Sequence, residues 1–162
     1  MNAARPGDAP PSFRIGIGYD SHRFAEGRRL VLGGVEVPHD RGLGGHSDAD
    51  VLTHAVIEAL LGAGGLGDLG TLFPDDEERW RDADSLDMLR IAIGRLSGRP
   101  VNVDTTLICE QPRLEPHRAE MERCLSDALS APVSVKASTN EGMGAIGRGE
   151  GIACVAVALV ET

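Results

Sequence analysis

The apolar residues Phe13, Ile15, Ile17 and Tyr19 alternate with Arg14, Gly16 and Gly18, the period-two signature of a strand with one apolar face. Its other face is glycine, so something approaches it closely. If the extended course continues, Asp20 and His22 point to that glycine side. Residues 30 to 37 (LVLGGVEV) are two apolar runs joined by Gly33 and Gly34, which predicts a tight hairpin. Ser47, Asp48 and Asp50 precede VLTHAVIEALLG, predicting a capped helix over about 49 to 62 that is apolar nearly all round and therefore central. Residues 62 to 82 are glycine-rich and then polar, which predicts a long functional loop. Leu86, Leu89, Ile93 and Leu96 repeat at helical spacing, predicting a helix over about 85 to 97, and residues 101 to 109 (VNVDTTLIC) read as a strand. Pro116 suits the first turn of a third helix with the stripe Met121, Cys124, Leu125 and Ala128. Strands at 133 to 139 and 152 to 160 follow. This order indicates an α/β or α+β sandwich with a small β-hairpin.

Composition narrows what such a domain can do. The chain has 162 residues, with 16 basic and 25 acidic side chains and a formal charge of −9. That length fits one compact domain. Aromatic residues make up only 3%, so a base-stacking platform is not expected. The acidic balance also argues against nucleic acid and anionic membranes as partners. No apolar run approaches the roughly 18 residues of a membrane span. Residues 1 to 12 lack a secretory apolar core and, with Pro6, Pro10 and Pro11, read as a disordered leader. Cys109, Cys124 and Cys154 are widely spaced and odd in number, as expected of free thiols in a reducing cytosol.

Two glycine patterns mimic dinucleotide fingerprints. Gly62-x-Gly64-x-x-Gly67 follows a helix, and Gly142-x-Gly144-x-x-Gly147 is expected to run into a strand without opening a helix. The fingerprint works by aiming a helix N-terminus at a pyrophosphate, which neither context supplies. More informative are Asp20-x-His22 and the pair His46 and His54. One carboxylate and two imidazoles suit Zn²⁺ with a fourth position left open. Spacing does not choose between His46 and His54 as the third ligand. Thr139, Asn140 and Glu141 lead into GMGAIGRGEG, where a carboxylate and Arg148 among small residues would suit a phosphate with a divalent ion.

Taken together, RIGIGYDSHRF, LGGVEVP, HSDADVLTH, ALLGAGGLGDLGTLFPD, ADSLDMLR, CEQPRLEPH and ASTNEGMGAIGRGEGIAC closely resemble the 2-C-methyl-D-erythritol 2,4-cyclodiphosphate synthase family of the non-mevalonate isoprenoid pathway. The matches run in order from residue 14 onward. The resemblance implies a single domain over 13 to 162, helices packed on one side of a mixed β-sheet, and a cytoplasmic homotrimer with active sites between subunits. It implies conversion of 4-diphosphocytidyl-2-C-methyl-D-erythritol 2-phosphate to the 2,4-cyclodiphosphate and CMP. The substrate's 2-phosphate would attack the β-phosphorus with metal assistance.

By the same resemblance, Asp20, His22 and His54 hold zinc or another divalent transition metal. Glu141 holds Mg²⁺ or Mn²⁺ at the diphosphate. His46, beside Ser47, and Thr139 act on the reacting phosphates. Asp68 and Gly70, with Leu69 between them, match the ribose contacts. Phe73, Pro74, Asp75, Asp76 and Glu77 match the loop at the methylerythritol end. Cytosine would be held by the backbone of the segment Cys109, Glu110, Gln111, Pro112, Arg113, Leu114 and Glu115. Ser138, Asn140, Ala145 and Arg148 complete the substrate-contacting set. An axial cavity for an isoprenoid diphosphate would be lined by Arg148 and Glu150. The chain departs from the family at Ala145 and Ile146, where phenylalanine and threonine are usual, which reshapes that cavity, and at Asn140, where threonine is common. A metal-dependent phosphohydrolase and an isoprenoid-diphosphate-binding trimer are the alternatives. The second has no need of an open zinc position.

Overall fold

In the computed structural model, which describes residues 12–162, a long strand and the central helix meet through glycine. Strand β1 (Phe13–Ala25) runs unbroken through the predicted segment and on past Asp20 and His22. Helix α1 (Val51–Gly64) lies across it so closely that a Cβ at Gly16 would stand 1.9 Å from the Ala59 carbonyl oxygen, and one at Gly18 2.0 Å from that of Ala55. Those distances are far inside van der Waals contact, so any side chain there would push the helix off the sheet. The glycine side is therefore the buried side. The apolar side is open: Phe13, Ile15, Ile17 and Tyr19 are 53%, 72%, 71% and 60% exposed.

The remaining elements follow the predicted order with corrected bounds. Strands β2 (Leu30–Leu32) and β3 (Val35–Val37) form the hairpin, and Gly33 and Gly34 both take the positive φ that a two-residue turn requires. A two-residue strand, β4 (Gly42–Leu43), pairs with the end of β1. Helix α1 starts two residues later than predicted because Asp50 is its cap. The Asp50 carboxylate is fully buried and accepts from Gly33 N (2.8 Å), Gly34 N (2.8 Å), Thr53 N (3.0 Å) and Thr53 Oγ1 (2.7 Å). Burial and neighbouring Asp48 push its pKa up, against those four donors. An unpaired buried charge would cost several kcal/mol; here it joins the hairpin turn to the helix start.

The long loop predicted over 62 to 82 is corrected. It holds helix α2 (Leu69–Leu72) and a 3₁₀ turn at Glu78–Trp80. Helix α3 (Ser85–Ile93) ends at Gly94, short of the predicted 97. Strand β5 (Arg99–Ile108), a 3₁₀ turn containing Pro116, helix α4 (Arg118–Leu129) and strand β6 (Val133–Ser138) follow. The buried stripe of α4 is Met121, Leu125 and Leu129, with Cys124 and Ala128 only half-buried. Helix α5 (Gly144–Gly147) is a single turn that does open within the second glycine pattern, against expectation. Strand β7 (Gly151–Glu161) closes the chain. The main sheet has the order β4-β1-β7-β5-β6, antiparallel except for β5 with β6, so the predicted mixed sheet is observed. Its inner side packs on α1 and, at β6, on α4, with α3 against both helices. On the open side, Ile15, Ile17 and Tyr19 stand opposite Leu159, Val157 and Val155. Residues 1 to 11 of the expected leader lie outside the described residues, whereas Ser12 accepts a backbone hydrogen bond from Thr162 at 2.9 Å.

Candidate active site and metal centre

Beyond Gly16 and Gly18, the same side of β1 carries Asp20 and His22, and α1 supplies His54 from its first turn. Asp20 Oδ2 lies 3.0 Å from His22 Nε2 and 3.0 Å from His54 Nδ1, and the two ring nitrogens are 3.3 Å apart. Donors bound tetrahedrally at about 2.0–2.1 Å from one ion stand about 3.3 Å from each other. The triangle thus has the size of one face of a tetrahedral coordination sphere. Among the described residues this is the one group of three or more metal-ligating side chains brought together. Spacing left His46 and His54 as alternatives; the fold brings His54 to Asp20 and His22 and leaves His46 exposed at the rim.

Both rings are held from behind. His22 Nδ1 is 2.7 Å from the Gly44 carbonyl, which can only accept, so Nδ1 carries the hydrogen and Nε2 presents its lone pair to the triangle. Gly44 follows β4 and donates to the Arg23 carbonyl at 2.8 Å. His54 Nε2 lies 3.1 Å from Ser47 Oγ and 3.0 Å from Ser85 Oγ. Burial disfavours charge on both Asp20 and His22, but the hydrogen bonds and opposite charges between them outweigh it. Asp20 is held well below the usual carboxylate range, and His22 is raised above the ordinary imidazole value. The arrangement stabilises positive charge beside Asp20, and a cation held there would take the place of a proton.

The three donors open into a cavity of about 350 Å³. Of the residues predicted for substrate, His46, Ser47, Leu69, Phe73 and Asp75 line it as well. Ser47 is buried and turns its hydroxyl to His54. Asp68 caps α2 by accepting from Thr71 N at 2.7 Å and Thr71 Oγ1 at 2.7 Å, which holds its exposed carboxyl below its ordinary value. Gly70, Pro74, Asp76 and Glu77 lie on the same α2-to-3₁₀ stretch without lining the cavity.

A second cavity, of about 410 Å³, is lined by Cys109, Glu110, Gln111, Pro112, Arg113, Leu114 and Glu115 together with Ser138 and Thr139. The Gln111–Pro112 peptide is cis. Glu110 Oε1 accepts from Asn140 N at 2.8 Å, tying this loop to the turn that follows β6, and Thr139 Oγ1 donates to Glu141 Oε1 at 3.0 Å. Glu141 is exposed, with φ of 50°. Its single carboxylate suits a Mg²⁺ ion that takes most of its ligands from substrate and water. The two cavities are separate in the chain. Strands β1 and β6 are three places apart in the sheet, about 14 Å at the usual strand spacing. A third, smaller cavity of about 230 Å³ is lined by Ser21, His22, Arg23, Ala145, Ile146 and Glu150, and Arg148 donates to Glu150 at 2.8 Å beside it.

Sequence reasoning missed Ser85, which reads as an ordinary helix start, and Glu58, whose carboxylate accepts from Leu69 N at 2.9 Å at the cavity wall. It also missed Trp80, which packs edge-on against Phe73 with ring centres 4.8 Å apart. Only the pairing of α1 with α2 and α3 in space shows these three residues.

The YgbB family model matches residues 13–161. A 2-C-methyl-D-erythritol 2,4-cyclodiphosphate synthase from Salinibacter ruber is 56% identical over 155 residues, covering 92% of this chain and 99% of its own length. One from Rubrobacter xylanophilus is 55% identical over 157 residues, covering 92% and 95%. A solved structure of such a synthase in its CDP-bound form superposes with a TM-score of 0.82 at 38% identity, covering 91% of this chain and 99% of that one.

Proposed function

The chain belongs to the YgbB family of 2-C-methyl-D-erythritol 2,4-cyclodiphosphate synthases, and from that premise we propose how its residues divide the work of cyclisation. The reaction converts 4-diphosphocytidyl-2-C-methyl-D-erythritol 2-phosphate to the cyclic 2,4-diphosphate. An oxygen of the substrate's 2-phosphate forms a bond to the β-phosphorus, and the bond from that phosphorus to the bridging oxygen breaks. CMP leaves with that oxygen. Both reacting groups are anions, so the task is neutralisation and in-line alignment, and no protein nucleophile is needed.

Asp20, His22 and His54 would hold Zn²⁺ or a similar transition metal, and Glu141 would hold Mg²⁺ or Mn²⁺ with the diphosphate; bound there, such cations neutralise phosphate oxygens and polarise the phosphorus under attack. His46 stands at the mouth of the metal cavity, where its imidazole meets the reacting phosphates. Thr139 offers a hydroxyl from the other cavity. Phe73 and Asp75 take the methylerythritol end, and Asp68, Leu69 and Gly70 the ribose. Residues 109 to 115 read cytosine through their backbone, a mode that needs no aromatic platform.

The distance between the two cavities and the exposed apolar side of β1 support a homotrimer in which neighbouring subunits complete each site. A contiguous apolar face of this kind marks an interaction surface. Around the threefold axis, Arg148 and Glu150 suit an isoprenoid diphosphate, in a cavity that Ala145 and Ile146 reshape. The free cysteines Cys109, Cys124 and Cys154 support a cytoplasmic setting. The domain assignment over 13 to 162 goes with this reading.

The observation that carries the metal-assisted reading is the Asp20–His22–His54 triangle. Phosphorus NMR of the protein with the cytidyl substrate, Zn²⁺ and Mg²⁺ tests it. Two coupled diphosphate signals with stoichiometric CMP are expected. Inorganic phosphate would instead indicate hydrolysis, and unchanged substrate a binding protein; either result overturns the reading.

A further inference from the structure

Ser85, the first residue of α3, is fully buried. Its hydroxyl donates to Asp48 Oδ1 in a short hydrogen bond and faces His54 Nε2 at 3.0 Å. Asp48 is itself fixed: Oδ2 accepts from Ser85 N at 3.1 Å and Oδ1 from Asp50 N at 3.2 Å. A serine hydroxyl has one hydrogen, and a carboxylate can only accept. With that hydrogen committed to Asp48, Ser85 turns a lone pair toward the ring, so His54 Nε2 must carry the proton.

We infer that Asp48 and Ser85 are positioning residues that hold His54 in the tautomer whose Nδ1 lone pair points at the meeting place of Asp20 Oδ2 and His22 Nε2. The inference deepens the proposed function and rests on its reading of the triangle as a metal centre. Ser47 does not make the same choice. Its oxygen accepts from Ala49 N at 3.2 Å and lies 3.1 Å from Nε2, but its hydrogen is not committed to a carboxylate, so it suits either tautomer. His22 meets the equivalent requirement with the Gly44 carbonyl. One ring is thus fixed by a backbone acceptor, the other by a hydroxyl whose polarity a carboxylate sets. An acceptor behind a metal-binding imidazole also raises its basicity as a ligand.

The test compares Ser85→Ala with Ser47→Ala in the full chain. Zinc affinity is measured by competition with a chromophoric chelator, and the His54 Nε2–H proton by NMR of the zinc-loaded, ¹⁵N-labelled protein. Ser85→Ala is expected to weaken zinc by roughly 10- to 100-fold, to move the Nε2–H signal upfield and to speed its exchange with water. Ser47→Ala should lose less affinity and keep the signal. A purely structural role for Ser85 would lower the melting temperature while leaving that proton in place. Wild-type affinity and an unmoved signal in Ser85→Ala, or equal losses in the two variants, overturn the inference while the metal centre stands. Failure of the wild type to bind zinc overturns both.

Discussion

The cavity at the Asp20–His22–His54 triangle and the cavity proposed to hold the base are built in opposite ways. The first draws its donors from residues far apart in sequence: β1, α1, and the residues that start α1 and α3. Each donor is fixed by glycine contact, burial or a hydrogen bond from behind. The second is almost one continuous segment, residues 109 to 115, beside the end of edge strand β6. One chain therefore carries the three metal-ligating side chains and the segment proposed to contact the base, but in different places. On the proposed reading, a substrate with a metal-bound phosphate at one end and cytosine at the other would have its two ends held by two copies of the chain.

Two variants break that relation from opposite sides. His54→Ala removes a ligand without touching the open apolar face. It is expected to lose zinc and more than about 10³-fold of turnover, since electrostatic stabilisation is the main catalytic contribution, while sedimenting as the wild type does. Full zinc occupancy in this variant would remove His54 from the ligand set. Ile17→Asp does the reverse. Ile17 is 71% exposed in the chain, so the charge costs the single subunit little but opposes burial between copies. It should sediment as a monomer, keep its zinc and lose more than about 10²-fold in turnover through lost alignment. A monomer with wild-type turnover would show that one chain suffices.

Thr139→Ala probes the other cavity with a smaller effect. Zinc content and assembly should be unchanged, and turnover should fall by about 10- to 10²-fold if the hydroxyl steadies a phosphate oxygen. Equal turnover would assign the Thr139 hydroxyl only to its bond with Glu141.

How much of this was legible follows the same division. The strand alternation, the Gly33-Gly34 hairpin and the helices α1, α3 and α4 are visible in sequence because each repeats its pattern over several residues. Strand β4 and the single turns α2 and α5 are too short to show a period. The start of α1 was misplaced because three acidic or hydroxyl residues offer a cap, and only the buried bonds of Asp50 to Gly33 and Gly34 select one. His54 could not be separated from His46 by spacing. The choice depends on where β1 crosses α1, which the two strand glycines permit but do not announce. Ser85 was hidden for a related reason: its role lies in the packing of α3 on α1, and its local context is that of any capped helix.

The smallest effect concerns Cys109, which links the loop proposed to contact the base to the core. Burial pushes its thiol up to about 11, with a backbone hydrogen bond at Gln111 opposing the shift and neighbouring Glu110 adding to it. The thiolate is the reactive form, so near pH 8 the folded chain presents almost none of it at Cys109. Half-buried Cys124 should be modified first by a thiol reagent, and Cys109 should accelerate about tenfold per pH unit until the pH approaches 11. The sign for stability follows. A thiol raised in the folded state contributes fully below its unfolded value of about 8.5, and that contribution is lost as pH rises through the folded value. CDP should slow the labelling of Cys109 further if residues 109 to 115 hold the base. Identical labelling rates with and without CDP would detach that loop from nucleotide recognition while leaving the metal half of the comparison intact.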